Sequence, residues 1–233
     1  MGLERASSGL KVRDEFGSDT SANYDLEGAN TLDISEGHAT PSGYGICAHK
    51  SSSGTLCVTA DMGQRYVCLM PAQTVSDYTH RDGYWLHNDG GTMRLMKFVD
   101  EASTALATAS ASGAMRLRIY VYDGVVYAKA GKVVDGTLPY GCSASNTDWT
   151  APFQGAVYET PGQYFDNFDC RTSHLITCSG MTEGHYLRVS DGTTAAEAQE
   201  SSGTATADAG AVLFPPGKRP DSHGGCWWGR PHR

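Results

Sequence analysis

Five residues in one short stretch carry chemistry by type and by spacing. Arg118, Tyr120 and Tyr122 alternate before Asp123-Gly124, and Tyr127 and Lys129 alternate after it. A two-residue Asp-Gly loop between β-rich runs closes a hairpin, because a type I′ turn needs positive φ at both central positions. Closure on that loop sets Tyr122 opposite Val125, Val121 opposite Val126, Tyr120 opposite Tyr127 and Arg118 opposite Lys129. Side chains alternate between faces along a strand. One face is then Leu117, Ile119, Val121, Val126, Ala128 and Ala130, all apolar. The other is aromatic and basic. Tyrosine rings give a sugar a flat surface to stack on, and guanidinium and ammonium groups donate hydrogen bonds to its hydroxyls. The predicted carbohydrate-binding set is Arg118, Tyr120, Tyr122, Tyr127 and Lys129. The same tyrosines also fit between two sheets or under a loop, the more ordinary placement, so packing must decide.

Other chemistries find little support. Gly-x-Ser-x-Gly does not occur, and His38, His49, His80, His87, His174 and His185 show no metal-ligand spacing. Glu197 with Glu200, and Asp166 with Asp169, stand three apart, which on a strand points their carboxylates to opposite faces. Asn88-Asp89-Gly90-Gly91 is a turn with no clear helix behind it to cradle a phosphate. Trp85 and Trp149 are further aromatic candidates, with Trp85 reading as core.

The elements that position these residues follow from composition. The chain has 233 residues, a formal net charge of -8 and 28 glycines. Its length suffices for a sizeable core. It has no basic stripe, which argues against nucleic acid as a partner. It has no apolar run approaching the roughly 20 residues that span a membrane. Frequent Gly, Ser and Thr between short β-branched runs indicate an all-β protein. Cys47, Cys57, Cys68, Cys142, Cys170, Cys178 and Cys226 contain no CxxC pair. They read as scattered thiols, though one or two disulfides also fit.

Along the chain, residues 1–11 read as a leader or linker without the apolar core of a signal peptide. Short strands are expected over Val12 to Phe16, Thr31 to Ser35, Tyr44 to Ala48, Thr55 to Thr59, Arg65 to Met70 and Gly83 to His87. A clear strand follows over Thr92 to Val99. Glu101 to Ser112 is alanine-rich, which favours helix by propensity. Its place between two strand-turn units and its Ser/Thr content favour strand, and strand is the reading adopted. Gly155 to Tyr158 and Tyr164 to Asp169 close the domain. Strands every 8–12 residues with Gly or Asp turns point to a two-sheet antiparallel jelly-roll sandwich over 12–170. Residues 171–214 read as a small, partial second β module, and 215–233 as an irregular tail.

Two motifs carry a resemblance. Asp14-Glu15-Phe16 opens the domain and Phe165-Asp166-Asn167-Phe168 closes it, with the hairpin between. In this order the chain resembles concanavalin A-like lectin/glucanase domains of the laminin-G-like sort. Residues 173–214 resemble a small β module that follows such domains in virion and surface proteins. The resemblance implies two curved sheets with the first and last strands side by side. Catalytic relatives of that fold carry Glu-x-Asp-x-x-Glu, which is absent here. Such domains often hold Ca²⁺ near a sheet edge, and Asp14, Asp166 and Asp169 are the candidate ligands. Because Asp166 and Asp169 have opposite parity, that site requires a bulge or strand end at Asp169.

The expected function is a non-catalytic β-sandwich module of a phage-particle or surface protein, used for attachment or carbohydrate binding. Two alternatives stay open: a purely structural virion or fibre subunit, and a carbohydrate-active enzyme. Expected partners are a glycan or cell-surface polymer, other structural subunits and further copies of the chain. The expected location is a virion or extracellular surface.

Overall fold

The computed structural model describes residues 10–27, 31–63, 66–71, 81–122, 124–135, 138–145, 148–149, 152–171, 175–179, 183, 186–190, 195–199 and 201–208. Short runs separated by glycine and polar turns give strands through most of them. In chain order these are β1 (Leu10–Asp14), β2 (Tyr24–Glu27), β3 (Leu32–Asp33), β4 (Thr40–Pro41), β5 (Gly45–Thr55), β6 (Cys57–Met62), β7 (Tyr66–Pro71), β8 (Gly83–Asn88), β9 (Thr92–Val99) and β10 (Ala102–Ser110). They continue as β11 (Arg116–Tyr122), β12 (Val125–Gly131), β13 (Tyr140–Ser145), β14 (Phe153–Glu159), β15 (Phe165–Arg171), β16 (Leu175–Ser179), β17 (Tyr186–Ser190), β18 (Ala195–Gln199) and β19 (Thr204–Asp208). The described helix is limited to single 3₁₀ turns at Ser21–Asn23 and Val133–Asp135.

Two antiparallel sheets form the sandwich. One has the order β1-β15-β6-β11-β12-β13 and the other β10-β9-β8-β7-β14-β5-β2. Their facing sides make the main core, with Val58, Leu117, Ile119, Val126, Ala128, Phe165 and Phe168 from the first sheet and Val67, Leu69, Tyr84, Leu86, Met93, Leu95 and Val157 from the second. The seven-stranded sheet is apolar on its far side as well: Ile46, Met70, Trp85, Phe98 and Tyr158 form a second cluster there. That is why β9 reads as apolar at both parities, with Met93 and Leu95 inward and Met96 and Phe98 outward. It also places Trp85 in a core, but the second one. The register across β7, β8 and β9 maintains both clusters.

The predicted hairpin is present in the predicted register, with Tyr120 opposite Tyr127 and Arg118 opposite Lys129. Gly124 has φ +69°, as the turn requires, while Asp123 lies outside the described residues. Glu101 to Ser112 is largely strand, over β10. Asp100 and Glu101 both have positive φ, 46° and 68°, and turn the chain tightly from β9 into β10. The Asp100 N–H donates to Asp82 Oδ1 at 2.7 Å.

First and last strands of the sandwich lie side by side, β1 on β15, with Asp14 opposite Phe168. β1 ends at Asp14 rather than running on to Phe16. Phe16 instead takes φ +49°, a costly conformation for a bulky residue. Three donors to Asp14 hold it there: the Phe16 N–H at 3.0 Å, the Thr20 hydroxyl at 2.6 Å and the Tyr24 hydroxyl at 3.2 Å. Burial, and then the Asp14 charge, push the Tyr24 phenol far up, so it stays a donor. The Phe16 ring thereby enters the core edge-on to Phe165, centroids 5.4 Å apart.

Three boundaries differ from the sequence reading. β1 begins at Leu10, inside the segment read as leader. β5 runs through Ser51-Ser52-Ser53 without a break, because Ser52 is buried and its hydroxyl donates to the Gly155 carbonyl at 2.9 Å. β13 is a strand of small residues and Tyr140 that no β-branched pattern announces. After β15, β16 pairs with β19 and β17 with β18, a small β unit within the predicted second module. The predicted tail, 215–233, lies outside the described residues.

Phe168 is fully buried and packs against Tyr24 at 6.0 Å between centroids. Phe168→Ala is expected to cost about 3–5 kcal/mol, measured by denaturant unfolding. Gly155 on β14 faces the inner side of the other sheet, where an added Cβ would meet the Cys170 sulfur and Val58 Cγ2. Gly155→Ala is expected to cost about 1–3 kcal/mol, and Cys170→Ala to relieve part of that loss in the double variant.

Candidate functional site

The outer face of the six-stranded sheet gathers most of the residues singled out from sequence. Cross-strand registers arrange it in rows. One row runs Asp166, Asp61, Arg116 from β15 to β11. The next runs Arg13, Asp169, Thr59, Arg118, Lys129, Gly141 across all six strands. A third runs Arg171, Cys57, Tyr120, Tyr127, Ser143, and the last sets Tyr122 opposite Val125 and Val125 opposite Ser145. Four of the five predicted carbohydrate-binding residues therefore stand on one face with their side chains described. Tyr122 is placed there by its backbone.

Their exposures divide them. Tyr120 is 4% exposed and Arg118 5%, so both are built into the sheet surface. The Arg118 Nε–H donates to Thr59 Oγ1 at 2.9 Å, and burial lowers its guanidinium below the ordinary arginine value. Tyr127 and Lys129 are partly exposed. The Tyr127 ring lies parallel to Tyr120, 11° between planes and 4.9 Å between centroids. One ring side is thus backed by a buried partner, and the other is turned toward β13. The positions there are Gly141, Ser143 and Ser145, which are all small and exposed. Lys129 lies along this floor: a Cβ on Gly141 would meet its Cδ at 2.9 Å and its Nζ at 3.0 Å. Among the described residues, the Lys129 ammonium and the Tyr127 and Ser143 hydroxyls make no hydrogen bond or ion pair. The result is a shelf with an aromatic wall, a small-residue floor and free polar groups.

The predicted calcium ligands do not converge. Asp14 and Asp169 sit one register position apart on paired strands, so their carboxylates point to opposite faces. Asp14 is turned to the Phe16, Thr20 and Tyr24 donors already described. Asp169 is on the outer face between two guanidiniums: Arg13 at 3.2 Å, and Arg171 through bonds of 2.7 and 3.0 Å. Burial is the largest influence on the Arg171 guanidinium and opposes its charge, but the bond to Asp169, the Asp169 charge and Cys57 together raise its pKa. The bulge that the parity argument called for is present between Asp166 and Asp169, with Asn167 at φ +49°. It turns Asp166 toward Asp61. Among the described residues no group of three or more His, Cys, Asp or Glu is placed to hold a metal.

Sequence reasoning missed the cluster that this bulge builds. The Arg116 guanidinium binds both oxygens of Asp61, at 2.5 and 2.6 Å. The Asn167 side-chain amide donates to Asp61 Oδ2 at 2.8 Å and to Asp166 Oδ2 at 3.2 Å. Nearby, the exposed Tyr164 ring meets His38 at 4.7 Å. The signal available in sequence was Asn167 itself, since Asn tolerates the left-handed conformation at a bulge.

No family model matches the chain, and no curated protein does. Among solved structures, the carbohydrate binding module CBM66 from Bacillus subtilis is similar at a TM-score of 0.45 and 15% identity, over 64% of this chain and 95% of that one.

Burial, and also the Asp61 charge, raise Asp166 above its ordinary value of 3.8, against the lowering effect of the Asn167 N–H. A raised carboxyl binds its proton more tightly when folded. Its contribution to stability therefore falls as pH rises from the ordinary value through the raised one. Asp166→Asn removes that loss. The melting temperature of the variant minus that of wild type should climb across this window and then level off. A difference that stays flat from about pH 3 to pH 8 would contradict the assignment.

Proposed function

We propose that the chain is a non-catalytic β-sandwich module that binds carbohydrate on the shelf between β12 and β13. The observation that carries this reading is the Tyr127 ring. It is stacked against buried Tyr120, partly exposed, and stands beside the small residues of β13, along which Lys129 lies. A pyranose or furanose ring stacks on such a surface at little entropic cost, because the platform is already ordered. Lys129 Nζ, Ser143 Oγ and the Tyr127 hydroxyl then supply hydrogen bonds to ring hydroxyls. Arg118 and Tyr120 lie beneath as positioning residues.

Two of the neighbouring carboxylates, Asp61 and Asp169, are already held in ion pairs, which supports binding rather than hydrolysis by them. Glycoside hydrolysis needs one carboxylate to donate a proton and another to act as base or nucleophile. Asp61 is engaged by Arg116 and Asn167, and Asp169 by two guanidiniums. An attachment role on a virion or cell surface is the setting we propose for the module, on the strength of the resemblance drawn from its sequence.

The test is a saccharide array followed by titration calorimetry on the best hit. Tyr127→Ala should weaken binding about tenfold, the loss of one aromatic stacking contact with its buried area, with an unchanged far-UV spectrum. A positive array hit whose affinity is untouched by Tyr127→Ala would move the site elsewhere. The absence of any hit would remove the reading.

A further inference from the structure

Around the shelf the sheet is rich in cations and empty of carboxylates. β11, β12 and β13 make up half of their sheet and hold Arg116, Arg118 and Lys129 but no Asp or Glu. The chain as a whole has the opposite balance, 26 Asp and Glu against 18 Lys and Arg. Of the three cations, Arg116 is bound to both oxygens of Asp61. Arg118 and Lys129 stand directly opposite each other in the β11–β12 register. Like charges so placed repel. The carboxylate of their row, Asp169, lies two strands beyond Arg118 and is taken by Arg13 and Arg171.

Lys129 is also held in place. Gly141, opposite it on β13, leaves room for the lysine to lie across the sheet, since a Cβ at 141 would meet Lys129 Cδ at 2.9 Å and Nζ at 3.0 Å. Tyr127 projects from the same face two residues away, about 7 Å along the strand. One sugar ring stacked on Tyr127 therefore brings its substituents within reach of the ammonium. An ammonium has three donors and no acceptor. A sugar hydroxyl that accepts from it must still place its own proton, and the hydroxyls of Tyr127, Ser143 and Ser145 are the side-chain acceptors beside it. A carboxylate or sulfate brings acceptors alone, and so matches the ammonium in both hydrogen bonding and charge.

We propose, resting on the shelf as the binding site, that the saccharide bound there is acidic. Its ring stacks on Tyr127, and a carboxylate or sulfate carried by that ring pairs with the Lys129 ammonium. The anion also relieves the repulsion between Lys129 and Arg118. The net charge of -8 does not prevent this. At physiological ionic strength, exposed charges more than about 8 Å apart are largely screened, so the local balance decides.

The test titrates the full chain with galacturonate oligosaccharides and their methyl esters, and with sulfated galactan oligosaccharides and their desulfated forms. At least one acidic form should bind about fivefold more tightly than its neutral counterpart, and which pair shows the preference names the anion. The preference should shrink as NaCl rises from about 0.05 to about 0.5 M. Lys129→Gln should abolish it and Lys129→Arg should keep it. Gly141→Ala, which lifts the ammonium from the floor without removing its charge, should narrow it with an unchanged far-UV spectrum. Failure of both acidic forms to bind, or neutral forms that bind as tightly, would overturn the acidic ligand; if neutral binding then falls in Tyr127→Ala, the shelf itself stands. Acid binding that survives Tyr127→Ala would overturn both. A preference that ignores salt, or that persists in Lys129→Gln, would overturn the pairing with Lys129.

Discussion

The register of β11 is the constraint on which this structure depends. Arg116 and Arg118 alternate with Leu117 and Ile119, so one strand presents guanidiniums to one side and core to the other. A slip of one residue exchanges the faces. It would drive two guanidiniums into the space between the sheets, at several kcal/mol per uncompensated ion. In the correct register each finds its partner on the same row, Asp61 for Arg116 and Thr59 for Arg118. Such pairs return little net stability, because both partners lose water. Their effect is to penalise every other register.

The same face extends to the chain's first and last sandwich strands. Asp169 is held between Arg13 of β1 and Arg171 of β15, and β1 has no other neighbour in its sheet. Behind that pair, Asp14 satisfies the strained Phe16 and so delivers a ring to the aromatic group of Tyr24, Phe165 and Phe168. Closure of the sandwich thus uses one carboxylate on each side of the β1–β15 ribbon. The two carboxylates point to opposite sides of the ribbon, so they do not meet at one place.

The shelf beside Tyr127 depends on this order in turn. A tyrosine on a loose strand would lose conformational freedom on binding a sugar. Here the ring is already fixed by Tyr120, which is fixed by β6 and β12 on its two sides. Lys129 is partly exposed, while Arg118 next to it is sealed. From β15 to β12 the row therefore grades from buried, paired charge to partly exposed charge.

What the sequence determined by itself was local. The Asp-Gly turn gives one hairpin register, and period-two alternation then assigns every residue of 117–130 to a face. The aromatic-basic face and the pairing of first and last strands were legible on those grounds and through the Phe-Asp-Asn-Phe motif. Strand over 102–110 was legible too, because its Ser and Thr sit between two turns, despite alanine's preference for helix. Exposure was not legible. Tyr120 and Tyr127 are equivalent by pattern, yet one is sealed and the other half-open, since that depends on the strand lying beyond each. β13 supplies the floor, and its small residues announce no strand. The Asp61–Arg116–Asn167 cluster joins residues up to 106 positions apart, so only the order β15-β6-β11 brings it together. Asp14 and Asp169 looked like neighbours, and they are, but pairing of Asp14 with Phe168 turns their side chains to opposite faces. Sequence fixes parity along a strand; which side of the sheet that parity meets is settled when the strands pair.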